Sequence, residues 1–243
     1  MHPLSAGELL TVWEQGLMQQ PVKQALALLT VACPEIPPSQ LAQLSIGQRD
    51  ALLLTLREWT FGSQIQSLAT CGKCGERLEL NFNVGDVRAT TPAQLLETFS
   101  ARVDNWEVKF RLPNSLDLMA IASLSSPDIK NELLQRCLLQ VCEQGEIQPM
   151  EKLPTQIASA VVTQMAKFDP QADVQLNMNC PACGHKWLSV FDIVSFFWSE
   201  IHAWAIRTLR EVHLLASAYS WGEAEILSMS PYRRRLYLEM LGR

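Results

Sequence analysis

The chemistry most clearly written into this chain lies in two cysteine pairs, Cys71-Gly72-Lys73-Cys74-Gly75 and Cys180-Pro181-Ala182-Cys183-Gly184. Two residues between cysteines let both thiolates of one turn face a single ion, and the following glycine permits the positive φ that a tight knuckle often needs. Two such turns supply four sulfurs, the closed tetrahedral set of a structural zinc site, with no position left for a reactive water. The match continues beyond the cysteines. Leu78 corresponds to Trp187, Phe82 to Phe191 and Val84 to Ile193, so each knuckle leads into a strand with the same inward positions. Cys71, Cys74, Cys180 and Cys183 are therefore the expected ligands of one structural zinc ion in a split zinc ribbon. The competing reading is two unrelated pairs of buried or disulfide-bonded cysteines, which makes the matched apolar positions a coincidence. His185 follows the second knuckle; it is either a replacement ligand or, as favoured here, a surface or supporting histidine.

Cys33, Cys137 and Cys142 complete the seven cysteines and read as small core residues. Reduced thiols beside a zinc site point to a cytoplasmic protein. The start, Met1-His2-Pro3-Leu4-Ser5, has no basic segment followed by an apolar run, so no signal peptide is expected. No stretch approaches the roughly 20 apolar residues of a membrane span. The net charge of −5 and pI near 5.4 argue against bulk nucleic-acid binding, which draws on a basic face.

The elements that must position the cysteines are mostly helical. Ser5 and Glu8 form a capping-box pattern ahead of Leu9, Leu10, Val12 and Trp13. Pro21 opens a second helix, and Pro34, Pro37 and Pro38 end it in a rigid link. Ser45-Ile46-Gly47 opens a third, running to about Thr60, with Leu52, Leu53, Leu56 and Trp59 as its core face. An extended run over 64–70 leads to the first knuckle. Between the knuckles, a short helix is expected from Thr91-Pro92 and a strand over Trp106–Leu112. Helices follow with Leu116, Leu118, Met119 and Ile121, from Ser126-Pro127 to about Glu143 with Leu133, Leu134, Cys137 and Leu138, and after Pro154 with Ile157, Val161, Val162 and Met165. Val174, Leu176 and Met178 alternate back to the second knuckle. A long helix covers Val194 to Tyr219, a short one 221–227, and Ser230-Pro231 caps the last.

The expected fold is mainly α with a small β component: a split four-cysteine zinc ribbon with a helical insertion and flanking N- and C-terminal helices. The regions are 1–63 (helical), 64–85 with 172–193 (ribbon), 86–171 (mostly helical insertion) and 194–243 (helical). The metal ties the ends of a long insertion, where a cross-link stabilises most.

Phe196, Phe197, Trp198 and Trp204 cannot all face one side of a helix, so that helix is buried on most sides or part of it meets another protein. Arg233-Arg234-Arg235 is a solvated face or a contact for an acidic partner. Trp198, Trp204, Tyr219, Trp221, Arg233, Arg234 and Arg235 are the candidate partner-binding residues, because aromatics and arginine dominate interface energetics. His202 and His213 read as surface or interface histidines. There is no Gly-rich phosphate loop, Gly-x-Ser-x-Gly elbow, His-Glu-x-x-His or deaminase His-x-Glu, so no enzyme is expected.

Three stretches join the knuckles in a wider pattern. They are Ser45-Ile46-Gly47-Gln48-Arg49-Asp50-Ala51-Leu52-Leu53-Leu54 with Leu56-Arg57 and Phe61-Gly62; Phe110-Arg111-Leu112-Pro113 with Asp117-Leu118; and Leu209-Arg210-Glu211-Val212-His213 with Ala218-Tyr219-Ser220-Trp221-Gly222-Glu223-Ala224-Glu225-Ile226-Leu227. The pattern covers nearly the whole chain and resembles the baseplate hub assembly chaperones of contractile-tailed phages and related phage-tail-like injection systems. The resemblance implies a cytoplasmic, non-enzymatic factor that binds baseplate or hub proteins and is absent from the finished particle. The alternatives are a permanent baseplate subunit and a zinc-ribbon regulator that binds nucleic acid.

Overall fold

The computed structural model describes residues 1–89, 98–122, 124 and 128–242. The helix expected from Thr91-Pro92 and the start expected at Ser126-Pro127 lie outside the described residues. The described elements run α1 (Ala6–Gly16), α2 (Pro21–Ala32), α3 (Pro38–Gln43), α4 (Ile46–Phe61), β1 (Gln64–Thr70), β2 (Arg77–Asn83), α5 (Val84–Val87), β3 (Phe99–Val103), β4 (Trp106–Phe110), α6 (Ser115–Ala122) and α7 (Ile129–Cys137). There follow β5 (Leu138–Glu143), β6 (Glu146–Gln148), α8 (Thr155–Phe168), β7 (Gln175–Asn179), β8 (Lys186–Val190), α9 (Ile193–Tyr219), α10 (Glu223–Ser228) and α11 (Pro231–Met240). The chain is mainly helical with small antiparallel sheets, and it divides into two compact units. One joins Met1–Glu35 to Ile193–Arg243, and the other is the continuous stretch Ile36–Asp192.

The first unit is helical. Ser5 Oγ accepts from the Glu8 N–H at 3.3 Å while the Ser5 N–H donates to Glu8 Oε2 at 2.9 Å, so the expected capping box starts α1. Leu9, Leu10, Val12 and Trp13 are buried on α1, as are Ala25, Leu28 and Leu29 on α2. Along α9 the buried side chains Val194, Phe197, Ile201, Ala205, Thr208, Val212 and Leu215 recur at intervals of three and four, the single stripe a helix turns toward a core. The buried Gln24 amide donates to the Gly16 carbonyl at 2.9 Å, satisfying a carbonyl at the end of α1. Trp13 Nε1 donates to His202 Nδ1 at 3.1 Å, which gives His202 a structural role in this unit.

In the second unit, α4 is anchored at its N-terminus, where a helix leaves its first N–H groups without intrahelical partners. Here the Ile46 N–H donates to the Pro113 carbonyl, the Gly47 N–H to Asp169 Oδ2 and the Gln48 N–H to Ser45 Oγ. Asp169 is buried, and burial raises its carboxyl above the ordinary value against the bond from Gly47. A Cβ on Gly47 would collide with that carboxylate and crowd the backbone nitrogen of Ala172. Gly47→Ala is therefore expected to cost about 1–3 kcal/mol, read as a lower urea midpoint with an unchanged m-value; a midpoint equal to wild type would show that Asp169 moves aside freely.

A four-stranded antiparallel meander, β3-β4-β5-β6, carries the core of the insertion. Ala101, Val108, Phe110, Leu134, Cys137, Leu138, Val141, Ile157, Val161 and Met165 pack there, with Phe99 and Phe168 against them at 4.5 Å between ring centroids. The sequence reading anticipated only β4 of this sheet. The helix expected to reach Glu143 ends at Cys137, and its last residues form β5, paired with β4 from Trp106↔Glu143 to Phe110↔Leu138. Pairing with β4 and β6 outweighs helix propensity there. The expected core faces also need adjusting. Trp59 is 48% exposed, Leu116 42% and Val162 50%, whereas Leu54, Ser115 and Asp117 are buried.

Asp117 explains the inversion on α6. Arg111 donates to its carboxylate through Nη1 at 2.6 Å and Nη2 at 2.8 Å, Arg136 Nε at 3.2 Å and the Asn114 N–H at 3.1 Å. Burial alone would raise this carboxyl, yet Arg111, the Asn114 N–H and Arg136 hold it below its ordinary value. Polar residues thus claim the inner face of α6 and turn Leu116 outward. Cys33 and Cys137 are buried, as expected of core cysteines, and Cys142 is half-buried; burial pushes the Cys137 thiol up to about 11.

Candidate metal centre

The two knuckles are the tips of two β-hairpins. In the first, β1 and β2 pair from Gln64↔Asn83 to Thr70↔Arg77; in the second, β7 and β8 pair from Gln175↔Val190 to Asn179↔Lys186. Each tip closes by the same two backbone bonds. Cys71 N–H donates to the Glu76 carbonyl and Gly75 N–H to the Cys71 carbonyl, at 2.8 and 2.9 Å. Cys180 N–H donates to the His185 carbonyl and Gly184 N–H to the Cys180 carbonyl, both at 2.9 Å. The two glycines sit at φ of 77° and 68°, the left-handed conformation that lets the chain leave the turn without a Cβ clash.

This repeated turn brings four sulfurs together. Cys71 Sγ lies 3.7 Å from Cys183 Sγ, and Cys74 Sγ lies 3.6 Å from Cys180 Sγ. All four ligand atoms fall within 4.8 Å of one another. A tetrahedron of metal–sulfur bonds about 2.3 Å long has edges of about 3.8 Å, so the cluster could hold a metal ion with little adjustment. Both close approaches join one hairpin to the other, between cysteines 112 and 106 positions apart in sequence. Phe82 and Phe191 meet edge to face at 5.7 Å, so one of the matched apolar positions is a direct contact between the hairpins. Leu78 is buried and Trp187 half-buried, while Val84 and Ile193 are buried at the starts of α5 and α9, past the strand ends.

The electrostatics of the thiols favour a cation. Burial opposes ionisation of Cys71, but the Cys74 and Lys73 N–H groups and the Cys74 and Cys180 side chains bring it down to about 7. A bond from the Glu76 N–H favours the Cys74 thiolate, yet burial and the Cys180 and Cys71 sulfurs leave that thiol above its ordinary value. A bond from the His185 N–H favours the Cys183 thiolate too, but burial and the other three sulfurs push it up to about 12. Backbone N–H donors thus favour thiolates at these turns while the crowding of the sulfurs opposes them, an opposition that a positive ion between them would relieve. His185 stacks on Trp187 at 5.5 Å and is not part of the cluster.

The seven candidate partner-binding residues are placed differently. Trp198 is half-buried, and its indole lies over Gly16, where a Cβ would collide with it. Trp204 is half-buried on α9. Tyr219 and Trp221 stack at 4.5 Å, and the Tyr237 ring stands edge-on to both, around the small core of Val212, Leu215 and Ile226. Arg234 is buried, with Nε on Glu211 at 3.0 Å and Nη1 on the Met229 carbonyl at 2.9 Å. Arg233 and Arg235 are exposed. Tyr219, Trp221 and Arg234 thus pack within the first unit, while Arg233 and Arg235 lie on the surface of α11.

Among the described residues no helix is long and apolar enough to cross a membrane. No curated protein and no solved structure matches the chain. A family model described as T4 bacteriophage base plate protein matches residues 8–198. The match takes in both knuckles and the first two of the three stretches quoted above, and it stops before α10 and α11. Over most of its length, knuckles included, the chain therefore belongs to the T4 bacteriophage base plate protein family.

Proposed function

We propose that this chain is a non-enzymatic assembly factor, a chaperone, for the baseplate or baseplate hub of a contractile phage tail or tail-like injection system. It acts in the cytoplasm on partner baseplate proteins and leaves before the particle is complete. The baseplate family match over residues 8–198 carries the coarse reading. The resemblance of the knuckles and the quoted stretches to hub assembly chaperones supports the finer one. One structural zinc ion on Cys71, Cys74, Cys180 and Cys183 holds the scaffold; four thiolates fill its coordination and leave no site for a reacting water. The ion's contribution is to cross-link the hairpins, and the chain's own contribution is the folded surface that the cross-link keeps in place.

The test is a tagged copy expressed in the native host, with mass spectrometry of both the cytosolic captures and the purified particles. Baseplate proteins captured from cytosol, with the tagged chain missing from particles, is the expected result. A fixed copy number in particles makes it a permanent baseplate subunit instead, a reading with which the family description is equally consistent. Salt-sensitive retention of DNA or RNA by the pure protein is the outcome required by a nucleic-acid-binding regulator, and the net charge of −5 predicts its absence.

A further inference from the structure

Helix α11 is apolar on two opposite faces. Its inner face holds the buried Arg234 and the half-buried Tyr237, Leu238 and Leu241, packed toward Val212, Leu215 and Ile226. Successive residues turn by about 100°, so Tyr232, Leu236 and Met240 stand one above another on the far side. They are 72%, 38% and 73% exposed. A surface helix needs one apolar stripe, and a second one is stable in water only at the cost of exposed apolar area. The second stripe is also held rigidly, because the Arg234–Glu211 pair and the Tyr219, Trp221 and Tyr237 rings fix the helix from behind.

The charges beside the stripe say what covers it. Arg233 flanks one side, and Arg235 and Glu239 flank the other, the latter two paired at 3.2 Å with side chains 79% and 58% exposed. The flanks are net positive on a chain whose overall charge is −5. We infer that the outer face of α11, through Tyr232, Leu236 and Met240, docks into an apolar groove edged with carboxylates on a baseplate protein. This is the helix-in-groove mode, in which residues one turn apart supply the anchors and rim charges set partner choice. The inference rests on the assembly reading above and identifies the face that reading uses.

The test takes the full chain and the purified baseplate proteins of the same particle, one at a time, by calorimetry, with light scattering on the chain alone. Wild type is expected to bind at least one of them. The double variant Leu236→Glu, Met240→Glu should bind about tenfold or more weakly, the loss typical of central anchors. Arg233→Glu with Arg235→Glu, two exposed positions outside the stripe, should weaken binding at low salt and match wild type near about 1 M salt, where charges are screened within about 3 Å. Equal binding by wild type and both variants overturns the stripe while leaving the assembly role standing. A wild-type dimer that the Leu236→Glu, Met240→Glu variant splits overturns it in favour of a second copy of this chain. Wild type that binds none of the baseplate proteins overturns both readings.

Discussion

Replacing Cys71 or Cys180 by serine is expected to abolish stoichiometric zinc and lower the melting temperature by about 10 °C or more. The sulfur contacts between the hairpins join positions 106 and 112 residues apart. Cross-linking a loop of about 100 residues restricts the unfolded chain by about 4.7 kcal/mol. For a protein of this length each kcal/mol moves the midpoint by about 2–4 °C. Loss of one thiolate also leaves three that repel one another around a weakened ion, and metal binding is part of the folding free energy. Elemental analysis of the purified proteins and calorimetric melting check this together. Stoichiometric zinc in the Cys71→Ser protein would sink the ligand set. A metal-free wild type that melts with both variants would remove the ion altogether.

Asp117→Ala is expected to destabilise the fold through lost polar contacts in the second unit. Asp117 is 1% exposed and accepts from two guanidiniums and a backbone N–H. Its removal opens a buried gap and takes the carboxylate from Arg111 and Arg136, whose side chains are 29% and 42% exposed and keep access to water, at an expected cost of about 1–3 kcal/mol. That is a measurable share of the roughly 5–15 kcal/mol by which domains are usually stable. The charge contributes in a definite pH window. Because the folded-state pKa is lowered, the contribution is complete above the unfolded value of about 3.9 and is lost as pH falls through the folded value. Urea unfolding of wild type and Asp117→Asn is therefore expected to differ most near neutral pH and to converge as the solution is acidified below about pH 4. A gap of constant size across that range would mean that the carboxylate acts only by shape.

How much of this was legible without coordinates varies with the kind of signal. The cysteine turns were readable because their requirement is local: two ligands, two spacers and a glycine. The same holds for the caps at Ser5, Ser45 and Ser230, each of which accepts from the N–H three residues on. The meander was not readable from apolar spacing, since Leu133, Leu134, Cys137 and Leu138 fit a helix and only pairing with β4 decides where it stops. Its turns did leave a trace. Asp104 and Gln144, the latter followed by Gly145, take positive φ at the two hairpin bends, and Asp-Asn and Gln-Gly between apolar runs are turn signals of the kind that could have revealed β3 and β6. Asp117 illustrates the deeper limit. A carboxylate beside leucines looks exposed until the arginines that reach it, one of them 19 positions on, are placed in space. The same is true of Arg234, whose partner Glu211 lies 23 positions away.

The first unit is assembled from both ends of the chain, Met1–Glu35 and Ile193–Arg243, and this sets an order in time. The apolar faces of α1 and α2 are made first, but their partner α9 is made only after the whole of Ile36–Asp192. A ribosome adding roughly 5–20 residues per second leaves Leu9, Leu10, Trp13, Leu28 and Leu29 without α9 for on the order of ten seconds. The contact between Trp13 and His202, 189 positions apart, belongs to the slow class of long-range closures. The continuous unit, whose last cysteine emerges before α9 begins, is free to fold in the meantime. A protein proposed to escort others through assembly thus passes part of its own synthesis with an unfinished apolar surface, which is covered only once α9 has been made.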